Sequence, residues 1–250
     1  MKHPCSMWNT VASLPALAPR AVHVWCACLD QPATRLAAFQ RVLSADEQER
    51  AARFYFDRDR RRFTAGRGIL RDLLGRYLAC TPAELTFCYG SHGKPALAPR
   101  PFEESINFNL AHSGDVALYA FSREAPVGID VEHVRPFEDA PQISKNVFTA
   151  AENQAVQGTG STFDPNLFFT YWVCKEAYIK ATGSGLSHPP SAIEIQFAGH
   201  DYAKAVVTAD PADRKSQWHL HLLRPIAGYV GALAVQAQEV VVQTWCWSKS

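Results

Sequence analysis

The run Ala125-Pro126-Val127-Gly128-Ile129-Asp130-Val131-Glu132 marks a restart in the chain. Pro126 punctuates what precedes it, and residues 127–131 then alternate as a strand. On either side of this point the elements come in the same order. Upstream, residues 21–29 read as a strand, and Ser44-Ala45-Asp46-Glu47 reads as a helix start with a capping box. A long helix follows over about 60–78, where Phe63, Leu70, Leu74 and Tyr77 share one apolar stripe. Short strands come next, at 85–88, 106–110 and 116–121. Downstream, Thr149-Ala150-Ala151-Glu152 is a second capping box, and residues 166–181 are strongly helical up to Gly183. Strand-like runs at 193–197, 204–207, 218–223, 228–235 and 240–245 close the chain. The pattern predicts an α+β fold of two similar halves, 21–126 and 127–250, behind a loose N-terminal tail over 1–20. No sequence repeat accompanies it.

Composition narrows the class. The 250 residues are 47% hydrophobic and 20% charged, which supports a large core and excludes disorder. Lys+Arg 25 against Asp+Glu 24 leaves +1, so no global field recruits nucleic acid or a membrane surface. Seven cysteines form no Cys-x-x-Cys pair, which removes the zinc and disulfide-scaffold readings on spacing. Lys2 is followed by no apolar run before Pro15, a poor signal peptide. The longest mostly apolar stretch, 225–237, contains two glycines and is too short to span a bilayer. The cytoplasm is the expected location.

Five clusters can carry chemistry. Eight arginines lie between Arg50 and Arg71, and Arg60, Arg67 and Arg71 fall on one helix face. They suit a phosphate edge or a solvated helix surface. Gly93-Lys94-Pro95 puts a lysine in a turn, aimed at an anion or at solvent. Asn107-Phe108-Asn109-Leu110-Ala111-His112-Ser113-Gly114 ends a strand in an imidazole, a hydroxyl and flexible N–H groups, which is either a phosphate nest or an ordinary hairpin. Asp130 and Glu132 point to one face of their strand, where paired carboxylates suit Mg²⁺ or a solvent-facing edge. In the helix over 168–180, Trp172, Glu176 and Lys180 recur every four residues amid aromatics, a placement that suggests partial burial. No Walker A loop, Gly-x-Gly-x-x-G or Gly-x-Ser-x-Gly is present. Together these clusters favour a divalent-metal site acting on a phosphate diester or anhydride.

The order of these motifs resembles the 4′-phosphopantetheinyl transferases of the surfactin-synthetase-activating (Sfp) type. Gly93-Lys94-Pro95, Asn109-Leu110-Ala111-His112-Ser113, residues 127–132, Phe148-Thr149-Ala150-Ala151-Glu152, Trp172 through Lys180 and Gly183-Ser184-Gly185-Leu186-Ser187 all match in family order. The resemblance implies two similar α+β halves with coenzyme A in the cleft between them, so that one chain builds the whole site and is expected to act as a monomer. It implies transfer of the phosphopantetheine arm to a serine of an acyl or peptidyl carrier protein, a holo-[acyl-carrier-protein] synthase reaction releasing 3′,5′-ADP. By motif position, Asp130, Glu132 and Glu176 hold Mg²⁺, or Mn²⁺ in its place. Asp130, Glu176 and Lys180 are then the catalytic set, and Glu176 or a metal-bound water is the base. Lys180 lies beside the phosphates, His112 contacts the 3′-phosphate, and Lys94 lies near the adenosine end. The chain has Ala111 where the family often has Ser. It has Glu47 and Arg50 where some members place two lysines, leaving that phosphate role to Arg50, with Arg67 helping. Carrier docking is expected on the segment after Glu132, at His133, Arg135, Lys145, Val147 and Phe148, although Val147 and Phe148 also read as a staple for the next helix. A metal-dependent phosphohydrolase or nuclease is the competing reading.

Overall fold

A computed structural model describes residues 8–11, 13–90, 93–99, 105–158, 163–183, 189–199, 202–207, 218–236 and 239–248. The first part of the chain runs β1 (Asn9–Thr10), β2 (Ala21–Cys28), α1 (Ala33–Val42), α2 (Ala45–Ala52), α3 (Asp57–Tyr77), β3 (Phe87–Tyr89), β4 (Pro95–Leu97), β5 (Asn107–Ser113) and β6 (Val116–Ser122). The second runs β7 (Val127–His133), α4 (Ala140–Val147), α5 (Ala150–Gln157), α6 (Pro165–Thr182), β8 (Ile193–Phe197), β9 (Tyr202–Val207), β10 (Trp218–Leu223), β11 (Tyr229–Val235) and β12 (Val241–Cys246).

Two five-stranded sheets form, ordered β1-β12-β2-β6-β5 and β7-β11-β10-β9-β8, with β3–β4 as a separate hairpin. Period-two alternation sends alternate side chains of each leading strand to opposite sides of its sheet. From β2, Val22, Val24 and Cys26 enter one cluster with Val127, Ile129 and Val131 of β7, so the sheets pack against each other through it. The opposite face of β2, with Trp25 and Ala27, packs on Ile69, Leu70, Leu73 and Leu74 of α3. The outer face of the second sheet, through Ile195, Leu220 and Ala232, packs on Val173, Ala177 and Tyr178 of α6. The layers are helix, sheet, sheet, helix. Each fully buried leucine or isoleucine in them contributes about 1.5–3 kcal/mol relative to exposure.

Both capping boxes form. Glu47 Oε2 accepts from Ser44 N at 3.1 Å, and Glu152 Oε2 from Thr149 N at 2.8 Å. Two helices have no counterpart in the sequence reading. α1 has no side-chain cap at Pro32, and α4 carries Pro141 in its first turn. The tail also departs from expectation. β1 pairs with β12, and Leu17 is buried in the first core, so the described part of 1–20 is anchored; residues 1–7 and 12 lie outside the described residues. A cut at residue 126 would separate partners as well. β12 lies parallel to β2, with Trp245 opposite Trp25, and so belongs to the first sheet. The described cysteines are free thiols, and no helix among the described residues is long and apolar enough to cross a membrane.

Candidate active site

Gly128, Asp130 and Glu132 share the face of β7 that meets α6, because side chains alternate along the strand. The contact is close: a Cβ at Gly128 would lie 2.0 Å from the Ala177 carbonyl oxygen and 2.4 Å from Ala181 N. Glycine therefore lets the helix rest directly on the strand, and the charged residues beside that contact are brought together. Lys180 Nζ donates to Asp130 Oδ1 at 2.6 Å. Asp130 is 5% exposed, and its Oδ2 is buried with no hydrogen-bond partner among the described residues. Burial pushes its pKa up to about 7, against the pull of Lys180 and with a further push from the Glu176 and Glu132 charges. Between Tyr171 and Ala181, Trp172, Glu176 and Lys180 are the half-buried positions and the rest are buried, as their four-residue spacing predicted. Gly183 ends α6 in the left-handed conformation at φ 67°, its N–H bonded to Ile179 O at 3.1 Å. Ser184 to Ser187 of the matching motif lie outside the described residues.

β7 is an edge strand, and side chains from β5 satisfy its free edge. Asn109 Oδ1 accepts from Ile129 N at 2.8 Å, and Ser113 Oγ accepts from His133 N at 3.2 Å. The Ser113 hydroxyl also donates to Glu132 Oε2 at 2.6 Å. The sequence reading offered that hydroxyl to a phosphate; the structure gives it to a carboxylate. The role of Asn109 was missed, although residues 109 and 113 share a strand face. His112, on the opposite face of β5, is exposed at the turn; desolvation of the ring, then the Lys180 and Arg62 charges, lower its pKa. Lys94 crosses from the first part of the chain and donates to Lys180 O at 2.6 Å and Val127 O at 3.2 Å. Desolvation lowers its pKa. Beside it opens a cavity of about 500 Å³ at the seam, lined by Gly93, Lys94, Asn107, Asn109, Val127 and Lys180 among others. A smaller cavity of about 200 Å³ lies beside Glu132, walled by Phe137, Ile143, Phe168, Phe169 and Trp172.

The arginine run divides into surface and core. Arg67 Nε and Arg71 Nε each bond Glu47 at 2.6 Å, and Glu47 is 1% exposed. Arg71 also holds the carbonyls of Pro82 and Leu85 at 2.8 and 2.9 Å. Arg67 is thus buried as the partner of Glu47 rather than displayed on a surface, because the acid that neutralises it sits twenty residues upstream. Arg50 is exposed in the last turn of α2, its guanidinium 5.5 Å from the centre of the Phe63 ring. In α6, Lys175 is the structural cation. It pairs with Glu152 at 2.6 Å and donates to the carbonyls of Val147, Pro190 and Ile193.

One expectation for carrier docking is corrected. Phe148 is 4% exposed and packs its ring on Phe168 and Tyr171, because it closes the core under α5. Val147 packs beside it, half-buried. His133, Arg135 and Lys145 are exposed. Among the described residues no three His, Cys, Asp or Glu side chains gather at metal-holding separation. The donor chemistry nonetheless fits a hard cation. Asp130 presents an orphaned buried oxygen, and the charges of Glu132 and Glu176 reach it.

Two family profiles cover most of the chain: "4′-phosphopantetheinyl transferase, N-terminal" matches residues 31–124, and "4′-phosphopantetheinyl transferase superfamily" matches residues 126–234. The 4′-phosphopantetheinyl transferase HetI of Nostoc sp. is 42% identical over 214 residues, 86% of this chain and 87% of that one. The chain belongs to the 4′-phosphopantetheinyl transferase family. Within that family, Sfp of Bacillus subtilis is 28% identical over 159 residues, 64% of this chain and 68% of its own. The L-aminoadipate-semialdehyde dehydrogenase-phosphopantetheinyl transferase of Mus musculus is 28% identical over 193 residues, 71% of this chain and 62% of its own. The chain is therefore an enzyme of the phosphopantetheinyl-transferring class, and the two profiles meet at the start of β7.

Proposed function

We propose that this enzyme moves the 4′-phosphopantetheine arm of coenzyme A to a serine of an acyl or peptidyl carrier protein, with Mg²⁺ held by Asp130, Glu132 and Glu176, and releases 3′,5′-ADP. The observation that carries the reading is Asp130: a buried carboxylate with one oxygen on Lys180 and the other without a partner, at the seam of the two parts of the chain. We infer further that those parts are duplicated halves. In each, a leading strand is followed by a capping box and a long helix, and then pairs with a later antiparallel strand, β6 for β2 and β11 for β7. One chain then supplies both walls of the cleft, which fits action as a cytoplasmic monomer.

Bound Mg²⁺, or Mn²⁺ in its place, would neutralise charge on the pyrophosphate oxygens. The side chains do the rest. Lys180, half-buried and with Asp130 as its counter-charge, presents an ammonium where negative charge grows on the leaving phosphate. His112, Arg50 and Lys94 bind the nucleotide end; Lys94 does so while fixing the last turn of α6 through the Lys180 carbonyl. Glu176, half-buried at the rim, or a water beside it receives the proton of the attacking serine. The test is mass analysis of an apo carrier protein incubated with enzyme, coenzyme A and Mg²⁺. A phosphopantetheine adduct on serine is expected. Release of 3′,5′-ADP without an adduct would favour a phosphohydrolase instead.

A further inference from the structure

Ser113 is the one side chain of β5 that bonds a carboxylate of the site. Its hydroxyl proton goes to Glu132 Oε2 at 2.6 Å, and its oxygen accepts from His133 N at 3.2 Å, so both of its hydrogen-bonding functions end on β7. The residue is 9% exposed, leaving little solvent to compete for that proton. Glu132 itself is half-buried near the end of an edge strand, where a carboxylate on three rotatable bonds has no fixed direction of its own. A short bond to Oε2 fixes the rotamer, and Oε1 makes no hydrogen bond among the described residues. The neighbouring His112 points to the other face of β5, so one strand carries a nucleotide-facing imidazole and a carboxylate-holding hydroxyl on opposite sides.

We propose that Ser113 is a positioning residue for Glu132, supplied across the seam, and that it acts on cation binding rather than on the phosphates of the nucleotide. This rests on the reading of Glu132 as a metal ligand. Hydrogen-bond partners of ligating groups typically govern metal affinity by about 10–100-fold. The experiment is a Mn²⁺ titration followed by electron paramagnetic resonance, with coenzyme A present and no acceptor. It is run on the wild type, Ser113→Ala, Glu132→Ala and the variant carrying both, and the KM ratio for coenzyme A and dephospho-coenzyme A is measured in parallel. Ser113→Ala is expected to bind Mn²⁺ about tenfold more weakly and to keep the wild-type KM ratio. In a Glu132→Ala background, Ser113→Ala is expected to change nothing further. Unchanged Mn²⁺ affinity in Ser113→Ala, or a collapsed KM ratio, overturns the proposal and returns the hydroxyl to the phosphate. If the wild type binds no Mn²⁺ at all, the metal reading itself fails, which is a distinct result. Should Ser113→Ala not fold, Ser113→Cys, close in volume and a weaker donor, is read by the same two measurements.

Discussion

The long helices α3 and α6 carry one charged spelling put to two uses. Arg71-Asp72-x-x-x-Arg76 in the first matches Lys175-Glu176-x-x-x-Lys180 in the second. The leading cation of each is buried against the glutamate of a capping box, Glu47 or Glu152. The caps are alike to the backbone: Ser44 and Thr149 both have φ −67°, with ψ 164° and 165°. The uses then part. Asp72 is buried and accepts from Trp247 Nε1 at 3.0 Å. On β2, His23 Nδ1 lies 2.8 Å from the Tyr77 hydroxyl, and Trp25 Nε1 donates to the same oxygen at 2.9 Å. The corresponding stretch of β7 offers Gly128 and Asp130, and Lys180 reaches across to the latter. Aromatic hydrogen bonds close one helix–strand contact, while the other keeps an ion pair with a spare oxygen. The first helix–strand contact is thus closed by hydrogen bonds, and the second leaves a buried carboxylate oxygen without a partner among the described residues.

The comparison is tested most severely at Asp130. Asp130→Ala should reduce transfer at least about a thousandfold, or about 4 kcal/mol in barrier, while the thermal unfolding midpoint stays near that of the wild type. Near-normal turnover would dissolve the contrast. Glu47→Ala should do the reverse. It leaves Arg67 and Arg71 buried without their partner and should cost about 3–5 kcal/mol in denaturant unfolding, with kcat of the folded fraction little changed. Gly128→Ala pushes the Ala177 carbonyl away from the strand and should cost about 1–3 kcal/mol. It should also reduce turnover, since Lys180 and Asp130 would no longer meet.

A further effect is pH-dependent. Burial lowers the His23 pKa from 6.5 to about 4, with a partial offset from the Gln243 side chain. A histidine whose folded pKa is depressed binds its proton more readily when unfolded. Its contribution is therefore intact above about pH 6.5 and lost as pH falls towards 4. Between pH 7 and 5 this amounts to about 2 kcal/mol, and His23→Gln should flatten that part of the profile measured by chemical denaturation. A variant as steep as the wild type would show that other groups set the slope.

Local sequence disclosed whatever local physics decides. Ser44 with Glu47, and Thr149 with Glu152, announced two helix starts because a capping box is complete within four residues. The alternation of Val127, Ile129 and Val131 announced β7. The half-buried stripe of Trp172, Glu176 and Lys180 was legible from its period. What stayed hidden depends on partners far along the chain. Arg67 and Arg71 resemble a surface run until Glu47 is seen folded against them. Phe148 resembles a docking residue until Phe168 and Tyr171 cover it. Ser113 reads as an anion donor until β7 is laid beside β5. α1 buries only Leu36 and Phe39, too few positions to reveal a period.

β12 ties the far end of the chain to its beginning, with Val241 opposite Ala21 and with Trp245 and Trp247 set into the first core. The described strands of the second sheet all lie before residue 236, while β2 of the first sheet takes one neighbour from β12 at 241–246. Until β12 docks, β2 is an open edge, a site for wrong pairing. A released chain cut just short of Val241 should expose that edge of β2 to proteases and chaperones, since β12 is its partner there.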